Sequence, residues 1–221
     1  MNRDFFTQKE NWYGSFYELA IELQTSHDNV RLEKALEALW NHPNLSGHWL
    51  SKENYGQGPD KFSIADKFHG MNQNSLIHLY GVFFIPEIDK QIGCLSIIVR
   101  ETDGSDWLDF CFPTGMLESA FSVKYPLETD EYPWSTVLDK YLLQMADMIY
   151  QQIPYDLAFI GDEVSGLANK ASIISEGIER QIKSYGLNNN KIFLSPAFWG
   201  EISLDKTYEV LPSGLRWATF A

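Results

Sequence analysis

Five histidines, thirty carboxylates and two cysteines are the groups in this 221-residue chain that could carry chemistry, so their spacing comes first. His27, His42, His48, His69 and His78 form no HExxH and no other spacing that marks zinc. Cys94 and Cys111 make no CxxC pair, and the expectation is two reduced thiols packed in or near a core, with no metal and no cofactor. Gly161-Asp162-Glu163-Val164-Ser165-Gly166 ends like a nucleophile elbow, but that turn needs glycine two residues before the serine, where Glu163 stands. No GxGxxG follows a strand and no GxxxxGK[ST] occurs, so the familiar phosphate-cradling loops give nucleotide binding no support.

The carboxylates allow one geometric test. Glu18 and Glu22 fall on one face of a strand-like run, about 13 Å apart at ~3.3 Å per residue. A glycosidase pair needs roughly 5–9.5 Å. Asp162 and Glu163 sit where a strand runs out into a loop, a common place for a site, and there both could converge on a cation or a basic side chain. His48 or His69, carried by a long Gly-rich interval over 51–74, would complete such a ligand site.

Charge is distributed unevenly. Thirty acids against seventeen bases give −13, and the stretch from Glu101 to Glu163 holds thirteen acids and two bases, Lys124 and Lys140. That field repels nucleic acid and anionic membranes and attracts basic proteins. Within it, Glu128, Asp130 and Glu131 are interleaved with Tyr125, Tyr132 and Trp134. Aromatics supply anchoring area and acids steer a basic partner, so Glu128, Asp130, Glu131, Tyr132 and Trp134 form the candidate partner surface. Small, acidic, aromatic-rich and without a catalytic signature, the chain resembles bacterial immunity or inhibitor proteins in composition. The concentrated charge and the missing catalytic motifs lead to the expectation of a protein-interaction module, of inhibitor or immunity type, with a basic protein partner and no affinity for nucleic acid or membrane. The alternative is a small-molecule enzyme or ligand-binding protein with its site at the strand end near Asp162 and Glu163.

The elements that must position these groups are legible in part. With 44% hydrophobic and 14% aromatic residues the chain should build a packed core. Met1–Phe6 lacks an apolar signal region, and no run approaches the ~20 apolar residues of a bilayer span, so a cytoplasmic protein is expected. Alternation over Trp12–Leu23 predicts a strand. Leu32, Ala35, Leu36, Leu39 and Trp40 then recur at helical spacing. Leu76–Ile85 reads as a central strand. Asp103-Gly104 between Ile92–Arg100 and Trp107–Phe112 predicts a hairpin. With a two-residue turn, Leu95, Ile97 and Val99 share a face with Leu108, Phe110 and Phe112. A helix over roughly 135–153, a strand at Tyr155–Ile160, a helix over Ala171–Tyr185, a strand at Lys191–Ser195 and a closing hairpin complete the order. The expected fold is α+β: a mixed, largely antiparallel sheet with about three helices and a ferredoxin-like core. It would form a single domain over 1–221, with its core at about 12–195 and a C-terminal extension at 196–221.

Overall fold

Alternation is what starts the sheet. In β1 (Phe16–Glu22), which follows a short helix α1 (Arg3–Thr7), Tyr17, Leu19 and Ile21 point to one side and Glu18, Ala20 and Glu22 to the other. The structure is a computed structural model describing residues 1–23, 28–58, 61–72, 75–101, 104–121, 123, 133–187 and 190–220, apart from the side chains of 61–63, 68 and 133. Asp28 caps α2 (Asn29–Trp40), its side chain accepting from the Arg31 backbone N–H at 3.0 Å. Then come β2 (Leu45–Trp49), α3 (Lys61–His69), β3 (Ser75–Ile85), β4 (Lys90–Arg100) and β5 (Asp106–Pro113). The chain continues through α4 (Thr114–Phe121), α5 (Pro133–Gln152), β6 (Leu157–Asp162), α6 (Lys170–Glu176) and α7 (Ile178–Tyr185). It ends with β7 (Lys191–Leu194), α8 (Pro196–Glu201), β8 (Glu209–Val210) and β9 (Arg216–Thr219).

Among the described residues the nine strands form one antiparallel sheet in the order β2-β3-β4-β5-β1-β6-β7-β9-β8. Among the described residues the sheet is therefore antiparallel throughout rather than mixed, and eight α-helices accompany it rather than about three. The expected helix over Ala171–Tyr185 is two helices, because Gly177 at φ +87° breaks the backbone between α6 and α7. The closing hairpin β8-β9 adds to the same sheet through β7.

The inner face of the sheet packs on α2 and α5. Leu19, Ile21, Phe83, Ile98, Leu108, Phe110 and Phe112 meet Leu32, Leu36, Leu39, Leu142, Met145 and Ile149, all essentially dry. The hairpin forms, but one residue out of the expected register: Arg100 stands opposite Asp106 and Ile98 opposite Leu108. Five residues separate the paired strands instead of two, and an odd slip exchanges the faces of β4. Ile98, Cys94 and Ser96 therefore line up with Leu108 and Phe110 inside, while Leu95, Ile97 and Val99 face outward with Cys111, Asp109 and Trp107. Arg100 fixes this register with a buried two-point ion pair to Asp106, Nε to Oδ1 at 3.2 Å and Nη2 to Oδ2 at 3.1 Å. Leu95, Ile97, Leu108 and Phe110 are all buried, as expected, though on two faces rather than one. Cys94 and Cys111 are free and buried, and the same slip puts them on opposite faces.

The outer face has two separate covers. Near β2 and β3, Phe6, Trp12, Trp49 and Tyr55 gather over Val82, with the Phe6 ring 5.0 Å from Trp12 and 4.7 Å from Tyr55. Over β1, β6 and β7, the chain from Val164 to Trp199 packs Val164, Ile173, Ile178, Ile182 and Phe198 on Ala20, Phe159 and Ile192.

Candidate functional site

The expected sites fare differently. Glu128, Asp130, Glu131 and Tyr132 lie outside the described residues. Trp134 is core: it is 2% exposed, its ring 4.9 Å from Tyr17 and edge-on to it, so it offers a partner no surface. The histidines do not come to Asp162 and Glu163. His48 is on β2, five strand spacings from β6, or about 24 Å at ~4.8 Å each. It is buried with a left-handed backbone at φ +72° and stacks on Trp40 at 4.4 Å. His69 ends α3 and pairs with Glu33 at 3.2 Å, on the inner-face side of the molecule. His78 is exposed on β3.

Asp162 and Glu163 part at the end of β6. Asp162 stands opposite Tyr17 and accepts from the Ser15 hydroxyl. Its other oxygen, Oδ1, is buried with no partner among the described residues, and burial raises its pKa. Tyr17 donates to Asp139, which also takes Lys191. Glu163 turns the chain outward with φ +49° and is exposed, its N–H held by the Phe16 carbonyl at 2.9 Å.

That turn builds a site the sequence did not announce. Across from Glu18 on β6 is Gly161, where a Cβ would come within 2.8 Å of Val164 and 2.0 Å of the Asn190 side chain. Lacking one, the chain folds back over the outer face, and the carboxylates of β1 and β5 receive it. Ser165 N–H donates to Glu18 Oε1 at 2.8 Å, Ser165 Oγ to Asp109 Oδ2 at 2.8 Å, and Lys170 N–H to Glu22 Oε2 at 2.7 Å. Cys111 Sγ adds 3.2 Å to Glu18 Oε2, and Ser105 Oγ adds 2.7 Å to Glu22 Oε1. Glu18, Glu22 and Asp109 are 3%, 4% and 2% exposed. Taking them from water disfavours the charged form. Burial lifts Glu18 to about 7, more than the Ser165, Cys111 and Val164 donors pull it down. Burial raises Asp109 well above the carboxylate range, with Glu18 as the next contribution, and burial raises Glu22. Proton holding and clamping of the 163–170 segment are what this row can do. Alternation alone reads Glu18 and Glu22 as a solvated face. The available signal was Gly161 followed by the acidic turn at Asp162 and Glu163, which lets a covering segment reach them.

The acidic stretch also changes meaning in three dimensions. Asp106, Asp139 and Asp156 each face a cation from outside that stretch, Arg100, Lys191 and Lys170 respectively. Asp147 accepts the Ser213 N–H at 3.0 Å. Beside α2 lie two open polar hollows, of ≈ 330 Å³ against Met148 and Gln151 and ≈ 520 Å³ against Trp40 and His48, with Glu37 and Asn41 common to both. Among the described residues no group of three or more His, Cys, Asp or Glu is placed to hold a metal ion, and no helix is long and apolar enough to cross a membrane.

No family model matches this chain, and no curated protein does. Among solved structures, it is similar to a chain of the 1.75 Å crystal structure of the toxic C-terminal tip of CdiA from Pseudomonas aeruginosa in complex with immune protein. Identity is 13% and the TM-score 0.42, over 68% of this chain and 87% of that one. So loose a likeness fixes neither fold nor role.

Proposed function

We propose that the protein is an acidic interaction module, of inhibitor or immunity type, that binds a basic protein in the cytoplasm. The observation that carries this reading is where the charge goes. The buried and half-buried ion pairs of Arg100, Lys170 and Lys191 are each neutral, so they remove nothing from the net −13. Among the described residues Glu37, Glu87, Asp89, Glu163, Glu176 and Glu179 are exposed acids, and such surface charge steers cationic proteins in and holds nucleic acid off. The acids at 128, 130 and 131 are the proposed steering group. In the same reading the β1-α2-β4-β5-α5-β6 unit is a ferredoxin-like core. Support comes from the neighbour order β4-β5-β1-β6 and from α2 and α5 packing on one face.

The test is affinity capture from lysate at low and high salt, comparing the wild type with Glu128→Lys/Asp130→Lys/Glu131→Lys and with Glu33→Lys/Glu37→Lys. A cationic protein that is retained at low salt, released at high salt and lost only in the first variant bears the reading out. Capture of nucleic acid, or equal capture by all three chains, contradicts it.

A further inference from the structure

Glu18 and Asp109 are buried against neutral donors alone. Asp106, at the start of the same strand as Asp109, has the Arg100 guanidinium beside it. What reaches Glu18 is the N–H of Val164, the N–H of Ser165 and the Cys111 thiol. What reaches Asp109 is the Ser165 hydroxyl, on Oδ2, while Oδ1 is buried with no partner among the described residues. A dry carboxylate left with an unpaired oxygen is costly, and a proton removes most of that cost.

No base offsets this from any side. From β5, Asp109 and Cys111 face Glu18; from the turn after β6, Glu163 does. Beyond them β4 sets Leu95 opposite Cys111 and Ile97 opposite Asp109, and β6 sets Gly161 opposite Glu18. The charged groups acting on the two carboxyls are acids: Glu163 on the first, Glu18 and Glu101 on the second. Lys170 acts on Glu22, one turn of the pleat further along, with its ammonium 2.6 Å from Asp156 and 3.8 Å from Glu201.

The cover over these carboxyls is short and jointed. Glu163 at φ +49° and Gly166 at φ +71° stand on either side of Ser165, both in the left-handed region. Val164 and Ala168 are its buried apolar anchors, whereas the helices beyond hold on through Ile173, Ile178 and Ile182. At the far end α6 keeps its own capping box between Asn169 and Ser172, and Glu22 holds the Lys170 N–H.

We propose that residues 163–169 are a proton-controlled latch, closed over the outer face while Glu18 and Asp109 are protonated and swung out about Glu163 and Gly166 when they are not. The protons pass to solvent, and the freed carboxylates meet water. Opening restores ordinary acidity to Glu18, so it releases a proton wherever the closed form still holds one, between 4.5 and about 7. Over that interval the open fraction rises with pH; above it the Glu18 contribution levels off.

Amide hydrogen exchange of the whole chain, followed by NMR and corrected for the intrinsic rate at each pH, reads the opening at the Ser165 N–H. Between about pH 5 and about pH 7, Ser165 protection should fall by about tenfold or more per pH unit, one proton's worth. It should also stay at least about tenfold below the protection of Ile98 and Leu108, as for a segment that opens without global unfolding. Glu18→Gln, which has no proton to lose, should make the fall shallower by about tenfold per pH unit. Should that variant fail to fold, the wild-type comparison of Ser165 with Leu108 decides alone. Protection at Ser165 that does not change with pH, or a slope that a folded Glu18→Gln leaves intact, overturns the proton control. Protection equal to that of Leu108 at every pH makes the opening global unfolding and overturns the latch.

Discussion

The two faces of the sheet solve the same problem with opposite chemistry. Inside, β1, β4 and β5 offer apolar side chains to α2 and α5, and contact is all that is needed. Outside, the same strands carry Glu18, Glu22 and Asp109, and the segment covering them brings backbone N–H groups and hydroxyls to meet them. Apolar burial is non-directional and tolerates any cover of the right shape. Buried carboxylates accept only a cover that donates, and each loses much of its worth if one donor moves. The inner face thus stores stability, while the outer face holds a pH-sensitive clamp.

The largest effect should come from the inner face. Phe110→Ala, at 1% exposure among Phe83 and Phe112, should cost about 3–5 kcal/mol by urea unfolding. Asp106→Ala should cost a similar ~3–5 kcal/mol, because it leaves the Arg100 guanidinium buried without its carboxylate. A loss under ~1 kcal/mol for either would break the assignment of stability to this face.

The outer clamp should show in pH dependence of unusual sign. Glu18 is raised in the folded state from 4.5 to about 7, so folding takes up a proton between those values. Its contribution is fully present below about 4.5 and is lost as pH rises through about 7, on the order of 3 kcal/mol. Glu18→Gln should flatten that slope in unfolding curves taken between about pH 5 and about pH 8, the interval over which a carboxyl raised to about 7 loses its proton. A wild type that gains stability over the same interval would contradict the clamp.

Elements with a strong local signal were legible in the sequence: β1, α2, β3, the β4-β5 hairpin and α5. The register was not, because it depends on a five-residue connection and on the Arg100–Asp106 pair, neither of which alternation encodes. The short β2 and α8 escaped notice, since a few residues carry no period. At the site, the strand pattern ends at Ile160, whereas β6 continues to Asp162 before the turn at Glu163. Its consequence, a segment returning onto acids 56 and 147 residues away in sequence, is a tertiary fact. Trp134 misled for a related reason: an aromatic beside acids looks like an anchor until Tyr17 is seen to pack on it.

The smallest effect belongs to exposed positions of the outer face. Leu76→Ser should change unfolding free energy by less than ~0.5 kcal/mol, as for surface positions generally.

Carboxyl-carbon NMR of the wild-type protein followed against pH tests the contrast between the two faces most directly, because it reads the buried Glu18 carboxyl itself. The expected result is a Glu18 titration at about 7. Titration near the ordinary value of ~4.3 would contradict a buried clamp on the outer face.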